Sequence, residues 1–113
     1  MPYIEAKLTT PVTPAQQEAL KAGFGRAVTA LHKTETYLMV GIEGGKDLWF
    51  GGRKLEQGAY LSVSLFGRAA PADCEEMTGR LCTLLDEVLG IPGENVYITY
   101  HPIENWGWNG SNF

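Results

Sequence analysis

Long apolar runs are absent from this chain. No segment approaches the roughly 20 residues that span a bilayer, and no basic stretch runs into an apolar one to form a secretory leader. The expectation is a cytoplasmic protein without a membrane partner. Cysteine is scarce. Cys74 and Cys82 fall in one helical pattern eight residues apart, about 12 Å along the axis and too far for a disulfide. Neither belongs to a Cys-x-x-Cys pair or to a His-containing ligand set, so both read as free thiols and no metal is expected. His32 and His101 stand at no ligand spacing from a cysteine or carboxylate. Positive charge is in deficit, nine Lys and Arg against thirteen Asp and Glu, which removes the electrostatic case for nucleic acid. Carboxylates paired for acid–base work are missing, since Glu75-Glu76 and Asp86-Glu87 lie off the apolar stripe and read as solvated. Gly44-Gly45 and Gly51-Gly52 lack the Lys-Ser/Thr of a phosphate loop, and no cofactor is expected.

What is present is a duplication. At 113 residues the chain fits one domain, 1–113. Pro14-Ala15-Gln16 begins one helical segment and Pro71-Ala72-Asp73 another, at an offset of 57 residues. Leu20, Phe24, Val28 and Leu31 match Met77, Leu81, Leu85 and Val88 at that offset, each set spaced as one helix face. Thr13, Pro14 and Gln16 fit the N-cap, first and third positions of a capping box. Gly90 followed by Pro92 marks the second helix's end. Strand-like runs flank both helices: 3–9 and 37–42 around the first, 60–66 and 96–100 around the second. The spacing predicts β-α-β, a connection over 44–58, then β-α-β. The fold class is α+β, a four-stranded mixed sheet from two β-α-β repeats with both helices on one face.

That arrangement buries Leu61, Val63 and Leu65 beneath the helices. It leaves Tyr60, Ser62, Ser64 and Phe66, with Tyr97, Thr99 and His101, on the other face. A face of hydroxyls and aromatics is too apolar to stay wet and too polar for a monomer core. Self-association is the expected remedy in so small a chain.

Two positions suggest chemistry. Pro2 follows the initiator Met1, and removal of Met1 would expose a secondary amine that is both base and nucleophile, held on a strand instead of a loose tail. The bland alternative is a second residue without a role. At the other end, Trp106, Trp108 and Phe113 make the tail a packed or pocket-lining element; Trp106 itself reads as packing.

These features, taken in order, resemble the tautomerase superfamily, and within it the macrophage migration inhibitory factor family. The resemblance rests on Met1-Pro2, the Lys33 to Tyr37 spacing, Phe50-Gly51-Gly52, Asn95-Val96-Tyr97-Ile98 and Gly107-Trp108-Asn109-Gly110-Ser111-Asn112-Phe113. It implies a homotrimer with pockets at subunit interfaces and a cofactor-independent keto–enol tautomerase acting on an aryl α-keto acid such as phenylpyruvate. Pro2 would be the base and Lys33 the partner of the substrate carboxylate. The competing reading of Lys33 is an exposed lysine at a helix C-terminus. Tyr37, Phe66, Tyr97, Thr99, Trp108 and Phe113 would line the substrate pocket, Phe66 through its backbone N–H. Thr99 stands where the family often has asparagine. Gly58-Ala59-Tyr60-Leu61 replaces the Cys-x-x-Cys of better-known animal members, so thiol oxidoreductase chemistry has no support. The resemblance also implies an alternative: a cytokine-like ligand, secreted by a non-classical route to a receptor protein, in which the pocket is secondary.

Overall fold

The computed structural model describes residues 1–113. Strand β1 (Pro2–Leu8) is followed by helix α1 (Pro14–Ala27), a 3-10 turn at Val28–Leu31, another at Glu35–Tyr37, and β2 (Met39–Glu43). A small hairpin, β3 (Trp49–Phe50) and β4 (Arg53–Lys54), leads to β5 (Ala59–Phe66), α2 (Pro71–Leu89) and β6 (Val96–Ile103). Two short strands, β7 (Gly107–Trp108) and β8 (Ser111–Asn112), end the chain. The main sheet has the order β2-β1-β5-β6. β1 and β2 run parallel, as do β5 and β6, whereas β1 and β5 meet antiparallel with Pro2 opposite Leu65 and Leu8 opposite Ala59. The duplicated β-α-β units and mixed sheet are those expected from the sequence.

Local signals account for the helices. The Thr13 hydroxyl accepts from Gln16 N–H at 3.2 Å and the Gln16 side chain accepts from Thr13 N–H at 2.9 Å, closing the capping box at α1. α2 begins on Pro71 and stops at Gly90, whose left-handed φ of 68° lets Ile91 N–H reach back to the Leu85 carbonyl at 3.3 Å. Ile91 is thereby driven fully into the core.

Alternation sets the packing. Ile4, Ala6 and Leu8 of β1 and Leu61, Val63 and Leu65 of β5 have no exposed surface. They meet Leu20, Phe24 and Val28 from the first helical segment and Met77, Leu81 and Leu85 from α2. No side chain of the buried set is polar. The opposite face carries Tyr3, Glu5, Lys7, Tyr60, Ser62 and Thr99 at intermediate exposure. There the Tyr60 hydroxyl, Thr99 Oγ1 and His101 Nε2 form a hydrogen-bonded row, with separations of 2.7 and 2.8 Å.

Three local features differ from the sequence reading. Tyr37 lies outside the strand: Leu38 N–H bonds the Glu35 carbonyl at 3.0 Å, winding 35–37 into a 3-10 turn so that β2 starts at Met39. The connection over 44–58 contains a hairpin, because Gly51 and Gly52, at φ 59° and 83°, supply the two left-handed residues of a tight turn. Asn109 and Gly110, at φ 51° and 86°, do the same between β7 and β8, folding the tail on itself.

Two consequences follow for stability. Phe24→Ala should lower unfolding free energy by about 3–5 kcal/mol by emptying the fully buried ring site, measurable by urea denaturation. Thr13→Ala should cost about 1 kcal/mol through loss of the cap. Gly110→Val should leave the global transition in place. It should nevertheless change tryptophan fluorescence, because a β-branched residue resists the left-handed conformation that folds the tail.

Candidate active site

The amino terminus, the loop after α1 and the folded tail converge at one end of the sheet. Pro2 is the first residue of β1 and buried, and with Tyr37, Ser64, Ile103, Trp106 and Trp108 it lines an open cleft of about 700 Å³. Lys33 leaves the end of the first helical segment and crosses to β5, where its Nζ donates to the Phe66 carbonyl at 3.1 Å. Phe66 N–H donates to the Met1 carbonyl at 2.9 Å. One residue of β5 therefore presents a backbone donor toward the chain's start and a carbonyl that tethers the lysine.

Aromatic rings connect these groups. Tyr37 and Trp108 meet edge to face with centroids 5.8 Å apart, Trp108 and Phe113 lie parallel at 6.3 Å, and Phe113 and Phe66 are tilted at 5.4 Å. Tyr37, Trp108 and Phe113 nonetheless remain more than half exposed, at 55%, 53% and 52%. Flat apolar surface is thus held ready beside a cation and backbone donors, the usual makings of a small-ligand site.

The electrostatics favour a neutral amine. Burial, and secondarily the positive charge of Lys33, lower the pKa of the Met1 amino group below its ordinary value. Pro2 sits one residue farther into the same strand, at a buried position.

Within one protomer the expected site residues divide. Pro2, Lys33, Tyr37, Phe66, Trp108 and Phe113 come together. Tyr97 and Thr99 do not join them. Tyr97 lies opposite Tyr60, whereas Phe66 is six residues farther along β5, about 20 Å away at 3.3 Å per residue. Tyr97 instead packs on Phe50, at a centroid distance of 5.0 Å, and is 63% exposed. Thr99 is occupied by Tyr60 and His101.

Other residues at the cleft escaped the sequence reading. Trp106, read there as packing, is a wall of the cleft, together with Tyr3, Met39, Ser64 and Ile103. The signal for Ser64 and Tyr3 was their alternation onto the second face; for Met39 and Ile103 only the strand register reveals it. His32, isolated in sequence, pairs through Nε2 with Asp73 Oδ2 at 3.1 Å across 41 positions. No cluster of three or more His, Cys, Asp or Glu is placed to hold a metal, and no helix is long and apolar enough to cross a membrane. A groove of about 500 Å³ between α1 and α2 includes Arg26, Glu76 and Arg80. Its Arg80 is already engaged by Glu76 at 2.8 Å and Thr29 at 3.0 Å.

Comparison with known proteins identifies the family. The family model for macrophage migration inhibitory factor (MIF) matches residues 1–113. A macrophage migration inhibitory factor homolog of Trichuris trichiura is 30% identical over 115 residues, covering 100% of both chains. The crystal structure of Leishmania major MIF2 superposes with a TM-score of 0.93 at 28% identity, covering 100% of this chain and 97% of that one. A fused 4-OT protein, solved as a symmetric trimer, shares the fold at a TM-score of 0.84 and 18% identity, covering 97% of this chain and 94% of that one. The chain belongs to the macrophage migration inhibitory factor family.

Proposed function

We propose that this protein is a keto–enol tautomerase acting on aryl α-keto acids, with Pro2, after removal of Met1, as its base. The observation that carries the reading is the pairing at Phe66. Its N–H holds the Met1 carbonyl oxygen at 2.9 Å, and its own carbonyl holds Lys33 Nζ at 3.1 Å. Loss of Met1 frees that N–H beside the lysine, giving a carboxylate oxygen a backbone donor and a cation together. The substrate's aryl group then lies against Tyr37, Trp108 and Phe113.

In the enol-forming direction the Pro2 amine takes a proton from the carbon next to the keto group, and the resulting ammonium gives it up to the carbonyl oxygen, directly or through water, which restores the amine. The reverse transfer restores the keto acid, so atoms and charge balance without a cofactor. An amine abstracting a C–H proton works best with its pKa near working pH. Burial and Lys33 lower the Met1 amine in that direction, and Pro2 follows it at a buried position. Lys33 also stabilises the enolate as negative charge builds on oxygen.

The split of the expected residues supports assembly as a homotrimer with sites between subunits. Tyr97 and Thr99 are too far from Pro2 in their own protomer, and the sheet face that holds them is uncovered. A second copy seated on that face brings them to a neighbour's cleft and removes Tyr97 from water.

Decay of phenylpyruvate enol absorbance, followed with protein whose intact mass shows Met1 removed, tests the reading. Saturable ketonisation is expected, and Pro2→Gly should reduce it by about 10²–10⁴ while the oligomer stays intact. A trimmed chain without activity, or a fully active Pro2→Gly, would overturn it. Lys33→Ala should raise KM and also move the pH profile. Its charge disfavours the protonated amine, so removing it raises the amine's pKa. The acid limb of the rate should then shift to higher pH.

A further inference from the structure

Lys33 is a long, flexible side chain on a loop, yet the proposed chemistry needs its ammonium at one point beside Phe66. The backbone that carries it is held on both sides. On the amino-terminal side, His32 closes the Val28–Leu31 turn in the left-handed region, at φ 60° and ψ 31°. Glycine is the usual occupant of such a position, since it has no Cβ to crowd the following carbonyl. A histidine there needs an external hold. Its Nε2 meets Asp73 Oδ2 in the first turn of α2 at 3.1 Å. Asp73 is well placed to stay, because a helix N-terminus favours negative charge. On the carboxyl-terminal side the Glu35 side chain lies across α1 at Gly25, so closely that a Cβ on Gly25 would overlap its carboxylate. Between these anchors Lys33 N–H bonds the Val28 carbonyl at 3.4 Å and Nζ reaches the Phe66 carbonyl at 3.1 Å.

We propose that Asp73, acting through the His32 ring, is a positioning residue for Lys33, so that a carboxylate on the outer helical layer sets the aim of the cation on the sheet's edge. This rests on the reading of Lys33 as the carboxylate-binding group. The His32–Asp73 contact is not what docks the two helices, which close on each other where Leu84 fills the space above Gly23. The contact joins the left-handed residue to α2, one step from Lys33 in the chain. Uncoupling it leaves Lys33 attached to the protein but free to swing, which weakens carboxylate binding while Pro2 itself stays in place.

The test is a cycle of Asp73→Ala, His32→Gly and the double variant. Glycine accepts the left-handed conformation, so His32→Gly removes the ring without straining the turn, and thermal melting confirms that each variant folds. Asp73→Ala should raise KM for phenylpyruvate about two- to fivefold, the range an exposed side-chain pair commands, with any fall in kcat no larger than that. Asp73→Asn, which keeps a hydrogen-bonding oxygen, should recover part of that loss. His32→Gly should give the same increase, and Asp73→Ala should add nothing in its background. An unchanged KM in Asp73→Ala overturns the proposal. So does an equal rise in both backgrounds, which would place Asp73 outside the His32 route. If the trimmed parent shows no turnover, the reading of Lys33 has failed, and the clamp is judged from NMR relaxation of the Lys33 ε-carbon. An ordered ε-carbon that becomes mobile in Asp73→Ala supports the clamp, and unaltered order overturns it.

Discussion

The antiparallel seam between β1 and β5 is the constraint on which everything else depends. Each β-α-β half is parallel within itself, and within the sheet only this seam joins them. Its register puts Ile4 beside Val63 and Ala6 beside Leu61, so both strands turn their aliphatic residues to one side. A slip of one residue would send every one of those side chains to the wet face and leave the helices nothing to cover. The same register sets Pro2 opposite Leu65, next to Phe66. Core and cleft are therefore consequences of one alignment.

From that seam the site is assembled by three short devices of low intrinsic stability. The turn at His32 delivers Lys33, the 3-10 turn at Glu35–Tyr37 delivers Tyr37, and the Asn109-Gly110 hairpin returns Trp108 and Phe113. The second and third add no residue to the buried core, whereas the first holds Val28, Ala30 and Leu31 in it, and each depends on unusual backbone geometry or on one capping bond. The sheet supplies Pro2 and the Phe66 backbone, while the turns supply Lys33 and the rings. Such a division suits a site that must admit a flat ligand and then enclose it.

The fold was legible because its signals are periodic and local. Leu20, Phe24, Val28 and Leu31 announce a helix face, and their repetition at Met77, Leu81, Leu85 and Val88 announces a second copy of the unit. Thr13 and Gln16 marked the start of α1, Pro71 the start of α2 and Gly90 its end. The lost details were those that periodicity does not encode. Tyr37 was drawn into a strand because it is aromatic and followed by Leu38-Met39-Val40, whereas a hydrogen bond to Glu35 decides its conformation. The glycine pair at 51–52 and Asn109-Gly110 carry hairpin chemistry in their dipeptides, which were read for phosphate binding and family likeness instead of for turns. Among the candidate site residues, Pro2 stood out by type and position, and Lys33 through the family resemblance. Trp106, Met39 and Ile103 became visible only once strand register placed them at the same end as Pro2. The bond between His32 and Asp73 spans 41 positions and has no signature in spacing at all.

The bond from Phe66 N–H to the Met1 carbonyl also has a meaning for the life history of the molecule. On the proposed reading, the first residue does more than block the proline nitrogen as an amide. Its carbonyl oxygen occupies the place intended for a ligand's carboxylate, so the newly made chain is plugged by its own leading peptide. The aminopeptidase that trims it would act as an activator in the manner of zymogen processing, creating the basic centre and emptying its anion seat with one hydrolysis. A population trimmed incompletely would then be a mixture of competent and self-occupied sites within the same assembly, and its specific activity would count cleaved termini instead of protein.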